Sequence, residues 1–281
     1  MALLRDAKPL MGTVFSLAAP DTAAAAFDAA WRDACALLAR IEAVYSPFIP
    51  DSPVSRIRDG RLALADLDEQ PDLSAAEVTD FREVLALCAQ LHRESDGAFD
   101  AWAVGDPPSF DPSGAVKGWA AERASTLLAE RGVPAHVLNA GGDVRLRTDG
   151  VTTWSVGVED PHRPDQIIAT LTIADGAVAT SGTRQRGSHV WNPHHRRPAE
   201  GVTQVTIVGP DLALADGYAT AALALGDRAQ QFLAELGTNG PYQGCVVDDA
   251  QGVWWTAGFE QYAPGLRGLL RPTGLEPDSR T

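Results

Sequence analysis

The chain has 281 residues, 45% of them apolar and 21% charged, a composition that excludes global disorder and small stapled scaffolds and allows one large core or two intimately joined lobes. Its formal net charge of -14 repels polyanions, so nucleic acid and anionic membrane surfaces are excluded as first partners. A phosphorylated ligand would need a local device, either a metal ion or backbone amides.

In chain order, Thr13 to Ala18 reads as a strand, and Thr22 to Val44 as an amphipathic helix with Phe27, Trp31, Ala34, Cys35, Leu38 and Ile41 at helical spacing. A loop rich in proline and serine follows from Tyr45 to Pro53. Ser74 and Glu77 form the Ser-x-x-Glu pattern of a capping box, which starts a second helix whose core face is Val78, Phe81, Val84, Leu85 and Cys88. Asp96-Gly97 ends it. Lys117 to Arg131 reads as a third helix, ended by Gly132. The texture then changes to short β-like runs, HVLNA, VRLRT, TWSVGVE, IIATLTI and AVATS, which read as an antiparallel meander. VTQVTIVG adds a strand, Leu212 to Leu225 and Gln230 to Leu236 add helices, and GCVVDDAQGVWWTAGF closes the chain with a hairpin. The expected class is α+β, a helical N-terminal part and a β-rich C-terminal part with a ligand cleft between them. Residues 1–263 form one domain, and 264–281 a loosely held tail.

Cys35, Cys88 and Cys245 form no C-x-x-C pair and leave one over from any disulfide, so they read as buried apolar residues of a reducing compartment. No apolar run has the length of a signal peptide core or a membrane span, and a cytoplasmic location is the expectation.

Four polar clusters lie at the ends of elements. In DPSGAVKGWA, from Asp111 to Ala120, small residues permit close backbone approach, and Lys117 is one of only two lysines in an arginine-rich chain. It is either a solvated lysine at a helix entry or a cation for phosphate. LNAGGDVR, from Leu138 to Arg145, reads as a turn. ATSGTRQRGSHVWNP, from Ala179 to Pro193, gathers hydroxyls, arginines and His189, which is either solvated or a general base. His194 and His195 are adjacent, share no face for a metal and read as surface. In LALADGYATAALALG, Asp216 and Thr220 stand at i and i+4, which offers Mg²⁺ two hard oxygen donors or serves as a cap and a backbone-bonded hydroxyl.

In order, Met11-Gly12-Thr13, Ser46 to Ser52 with Val54-Ser55-Arg56, Gly97 to Asp100, Asp111 to Gly118, Asn139 to Asp143, Thr180 to Gly182, His189 to Pro193 and Ala215 to Thr220 resemble the ApbE family of flavin transferases. The resemblance implies FAD between two lobes with its pyrophosphate beside Mg²⁺. It implies a metal held by Asp216, Thr220 and the carbonyl of Gly114. FAD contacts would fall on Met11, Phe48, Ala98, Phe99, Asp100, Asp111, Lys117, Val190 and Trp191. The reaction it implies moves FMN from FAD to a threonine hydroxyl of an acceptor flavoprotein and releases AMP, with Lys117 and Mg²⁺ neutralising the pyrophosphate and His189 as the first candidate for the base. FAD hydrolysis to FMN and AMP, or FAD binding without catalysis, are the alternatives. The stretch between Asp100 and Asp111 is shorter than is usual in the family, which implies either a more open FAD pocket or poor flavin binding.

Overall fold

The strand read at Thr13 belongs to a hairpin. In the computed structural model, which describes residues 3–163, 165–183 and 190–268, β1 (Leu3–Leu10) pairs antiparallel with β2 (Thr13–Pro20) through a Met11-Gly12 turn in which both residues have positive φ. β1 carries no readable alternation because it is an edge strand and mostly exposed. α1 (Ala24–Tyr45) follows and buries Phe27, Trp31, Ala34, Leu38 and Ile41, the stripe that its spacing sets. α2 (Pro53–Arg58) is a short helix capped by the Ser52 hydroxyl, which accepts the Ser55 N–H. α3 (Ala75–Glu94) begins at the capping box: Ser74 Oγ accepts the Glu77 N–H while the Glu77 carboxylate accepts the Ser74 N–H.

α4 (Ser113–Glu130) starts four residues before the expected Lys117, so that lysine lies one turn inside the helix. The Asp111 carboxylate accepts the Ser113 N–H at 2.9 Å, an Asx-type turn that leads into the helix where the sequence shows only Asp-Pro-Ser-Gly turn residues.

β3 (His136–Ala140) and β4 (Asp143–Arg147) form a hairpin, but the expected meander is then interrupted. β5 (Trp154–Glu159) and β6 (Ile167–Ile173) pair only with each other, and β7 (Gly176–Gly182) returns to pair with β4. β8 (Trp191–Asn192) and β9 (Arg197–Pro198) make a second small ribbon. β10 (Val202–Gly209), α5 (Leu212–Leu225), α6 (Ala229–Asn239), β11 (Gln243–Asp248) and β12 (Val253–Trp255) complete the chain. The main sheet has eight antiparallel strands in the order β1-β2-β3-β4-β7-β10-β11-β12, so it runs from the N-terminal hairpin to the C-terminal one.

Strand alternation divides the interior into two cores. Leu138, Ala140, Ala177, Ala179, Val205 and Ile207 face the helices, whereas Val144, Leu146, Val178, Val208 and Cys245 face Val158, Leu171 and Ile173 of the β5–β6 ribbon. That second core is why the ribbon leaves the meander: its apolar side is needed as a lid on the sheet's far face. On the near face, alanines at 177, 179, 215, 219 and 222 keep α5 close to β7. Gly118 lets α4 close on α5, since a Cβ there would lie 2.5 Å from the Leu212 carbonyl oxygen. Residues 264 onward, expected to be loosely held, begin with a 3-10 turn at Pro264–Gly268 in which Leu266 is buried in the second core. Residues 269–281 of that tail lie outside the described residues. Among the described residues no helix is long and apolar enough to cross a membrane.

Candidate functional site

The close crossing of α4 and α5 places a carboxylate from one helix against the other. Asp216 is 3% exposed; its Oδ2 accepts the Gly118 N–H at 2.9 Å, and its Oδ1 lies 3.3 Å from Lys117 Nζ. It does not cap α5. Asp211 does, accepting the Leu214 N–H at 2.9 Å. Asp216 therefore serves neither its own helix terminus nor solvent, and its free lone pairs face inward. One turn further, Thr220 Oγ1 lies 3.4 Å from Ser181 Oγ on β7.

The sheet supplies a second carboxylate. Asp143, at the first position of β4, is 1% exposed and ion-paired through Oδ2 with the Lys117 ammonium, while its Oδ1 accepts the Thr180 N–H at 2.8 Å. Sequence reading treats Leu138 to Arg145 as a turn and gives Asp143 no role. The Gly141-Gly142 turn exists, with positive φ at both residues, and it is what brings Asp143 under α4. Gly141 has no room for a side chain, because a Cβ there would lie 2.1 Å from Thr13 Oγ1.

The third wall comes from the end of α3. Gly97 adopts positive φ and donates its N–H to the His92 carbonyl oxygen at 2.8 Å, which stops the helix and turns the chain back. Ser95 Oγ then accepts the Phe99 N–H at 2.9 Å, and His92 Nδ1 lies 3.1 Å from the Phe99 carbonyl oxygen. Behind this wall the Cys88 thiol is pushed up to about 12 by burial, with the Asp100 and Asp111 carboxylates adding to it, so it stays protonated and unreactive.

These elements enclose a pocket of about 190 Å³. Ala98, Phe99, Asp100, Asp111, Gly114, Lys117, Val190, Trp191, Asp216 and Thr220, singled out from the sequence, all line it. Gly114 sits at the start of α4 with its α-carbon against Phe99 and Thr220, where a Cβ would be 3.1 Å from Phe99 Cε2 and 3.4 Å from Thr220 Cγ2. Ser113, Gly141, Thr180, Ser181 and Pro193 line the pocket as well. Thr180 and Ser181 belong to a cluster that the sequence marks as hydroxyl-rich. Ser113 and Gly141 carry no signal apart from their motifs. Two of the sequence-selected residues are not brought in. Met11 occupies the β1–β2 turn, whose Thr13 touches Gly141, but does not itself line the pocket, and Phe48 is 92% exposed on the loop before α2. His189 lies outside the described residues. His194 and His195 are exposed, and no group of three or more His, Cys, Asp or Glu side chains among the described residues is arranged to hold a metal unaided.

A profile of the ApbE family matches residues 11–106 and 104–246 of the chain. A relative from Vibrio cholerae named FAD:protein FMN transferase is 28% identical over 166 residues, which cover 54% of this chain and 47% of that protein. Another of the same name, from Rhodobacter capsulatus, is 33% identical over 121 residues, 40% of this chain and 23% of that one. The chain thus spans about half the length, or less, of these curated relatives. The solved ApbE protein of Thermotoga maritima superposes with a TM-score of 0.75 at 20% identity, covering 93% of this chain and 99% of its own, so the two share a fold.

Proposed function

The chain belongs to the ApbE family, and we propose from this that it transfers FMN from FAD to a threonine hydroxyl of an acceptor flavoprotein, releasing AMP. The observation that carries the reading is the convergence, in one pocket of a protein with net charge -14, of a cation, Lys117, with the hard oxygen donors Asp216 and Thr220. Such an arrangement has little use for a neutral ligand and matches a pyrophosphate held through a divalent ion.

The residues present fit Mg²⁺. Asp216 accepts the Gly118 N–H on one oxygen and a long bond from Lys117 on the other and can accept further bonds, Thr220 offers a hydroxyl one turn away, and the Gly114 backbone lies against Thr220, an all-oxygen set. Bound there, Mg²⁺ would neutralise charge on the pyrophosphate and polarise its phosphorus–oxygen bonds. Lys117 is the chain's own contribution to the same task, a compact ammonium fixed by two carboxylates and still one-fifth exposed toward the pocket. Phe99, Ala98, Val190 and Trp191 provide apolar wall for a ring system, with Asp100 and Asp111 at its rim. A pocket of about 190 Å³ is smaller than a dinucleotide requires, so FAD extends beyond it, and contacts from Met11 and Phe48 belong to that outer part.

In the transfer, the threonine Oγ–phosphorus bond forms as the phosphorus–oxygen bond to AMP breaks. The hydroxyl proton passes to a base, for which His189 is the candidate on sequence grounds. Three free cysteines, two of them buried, are in keeping with a reducing compartment such as the cytoplasm.

The test is to incubate the protein with FAD, Mg²⁺ and a threonine-bearing flavoprotein domain and to follow AMP and the acceptor's mass. FMN on the acceptor in step with AMP, both lost in Asp216→Ala, supports transfer. AMP released equally fast without acceptor would make the protein an FAD pyrophosphatase, and FAD binding with no AMP would make it a carrier.

A further inference from the structure

We infer that Asp143 is a positioning residue that keeps Lys117 from closing fully on Asp216 and so keeps the Asp216 carboxylate available to a divalent cation. The inference rests on the metal reading above and adds to it a residue that touches neither metal nor FAD. Lys117 stands between two carboxylates, both almost fully buried, that arrive from different layers, Asp143 from the sheet and Asp216 from α5. The sharing is unequal. The ammonium is in direct contact with Asp143 Oδ2 and makes only a long hydrogen bond, 3.3 Å, to Asp216 Oδ1.

The other oxygens explain why. Asp143 Oδ1 is pinned by the Thr180 N–H at 2.8 Å, and Asp216 Oδ2 by the Gly118 N–H at 2.9 Å, so neither carboxylate is free to rotate toward the lysine or away from it. Each presents one remaining oxygen. Asp143 lies behind Lys117 and does not line the pocket, whereas Asp216 does. A lysine with a single buried carboxylate beside it would close on that carboxylate, because a buried ammonium without a partner is far costlier than a paired one. With Asp143 present, Lys117 has a partner that the ligand never needs, and Asp216 Oδ1 keeps lone pairs directed at the space beside Thr220. The strand residue thus separates the lysine's charge from the metal-binding oxygen, although the two lie on adjacent helices.

The experiment is Mg²⁺ binding by titration calorimetry, without FAD, on wild type, Asp143→Asn, Lys117→Met, the double variant and Asp216→Ala, with cooperative thermal unfolding as the check on fold. Asp143→Asn should weaken Mg²⁺ at least 10-fold, since Lys117 then closes on Asp216 Oδ1, and a crystal structure of the variant should show that hydrogen bond shortened from 3.3 Å to about 2.8 Å. Adding Lys117→Met should restore binding to the level of the Lys117→Met single variant, because nothing is left to close on Asp216. Unchanged affinity in Asp143→Asn, or a loss that Lys117→Met does not rescue, overturns the inference, the second outcome marking Asp143 as a ligand or a merely structural residue. A wild type that binds no Mg²⁺, or an Asp216→Ala that binds it as well as wild type, overturns the metal reading and the inference with it.

Discussion

α4 and β4 meet at two ion pairs of opposite polarity, Lys117 with Asp143 at one and Glu122 with Arg145 at the other, and the two differ in what is left over. Asp143 and Arg145 are two residues apart on β4, hence on the same face, and both reach toward the helix layer. Around Arg145 the partners come from the protein. Its Nε donates to Glu122 at 2.8 Å and its Nη1 to Asp175 and to the Gly176 carbonyl oxygen, both at 2.9 Å, while Glu122 accepts the Leu212 N–H at 3.0 Å with its second oxygen. Around Lys117 the accounting does not close inside the protein: the ammonium, Asp216 Oδ1 and the Thr220 hydroxyl retain capacity, and a pocket lies beside them. Two buried pairs of similar composition thus have different uses. A saturated one can only hold elements together, and an unsaturated one beside a cavity is ready for a ligand.

The comparison breaks most visibly at Arg145. Arg145→Ala removes the buried member of the pair, leaves the partly buried Glu122 with only Arg147 at 3.6 Å, and should destabilise the fold by about 3–5 kcal/mol, read from denaturant unfolding. The folded fraction should bind FAD as wild type does. Loss of FAD affinity in that fraction would mean that the two clusters are one site.

The next effect belongs to His136, which joins the closed region through Ser125. Arg147 Nε donates to Ser125 Oγ at 2.9 Å, which leaves the Ser125 hydroxyl proton for His136 Nε2, 2.8 Å away, and puts the imidazole proton on Nδ1 against the Val133 carbonyl oxygen. Burial pushes this imidazole down to about 4, so the folded protein keeps it neutral. Below its ordinary value near 6.5, the unfolded chain takes up a proton that the folded chain refuses. Stability should therefore fall as pH drops from about 6.5 to about 4, by about 3 kcal/mol from this group. Urea unfolding across that range should lose this component of its slope in His136→Gln. An identical slope in the variant would assign the acid sensitivity to carboxylates elsewhere.

Lys117 gives the smallest expected change and the one that sharpens the contrast most. Lys117→Ala should weaken FAD by about 10- to 100-fold, the worth of a charge-assisted hydrogen bond. Riboflavin, which has no phosphate, should bind about as before. Equal losses for the two ligands in calorimetry would make Lys117 a structural residue like its counterpart.

Local chemistry accounts for much of what was legible without coordinates. The stripes of α1 and α3, the capping box at Ser74 and the i, i+4 placement of Asp216 and Thr220 are short-range patterns, and they persist because helix geometry is the same wherever the helix is packed. The order of the motifs was enough to point to the family and to most of the pocket lining. β1 gives no signal because an exposed edge strand needs no apolar alternation, and the start of α4 is hidden because it lies in a Pro-Ser-Gly stretch, ordered by the Asp111 carboxylate at Ser113 N–H, that reads as a turn.

Tertiary structure alone decided the rest, since the missing information lay in long-range contacts. That Asp143 is a buried partner of Lys117 rather than a turn residue follows from β4 running beneath α4, which depends on β7 bypassing the β5–β6 ribbon to pair with β4. That Phe99 lines the pocket follows from where α3 stops, whereas Phe48 stands exposed on the loop before α2. A sequence lists which residues can donate charge and oxygen. Whether such a residue is saturated by its neighbours or left facing a cavity is settled only when strands and helices distant in sequence close around it.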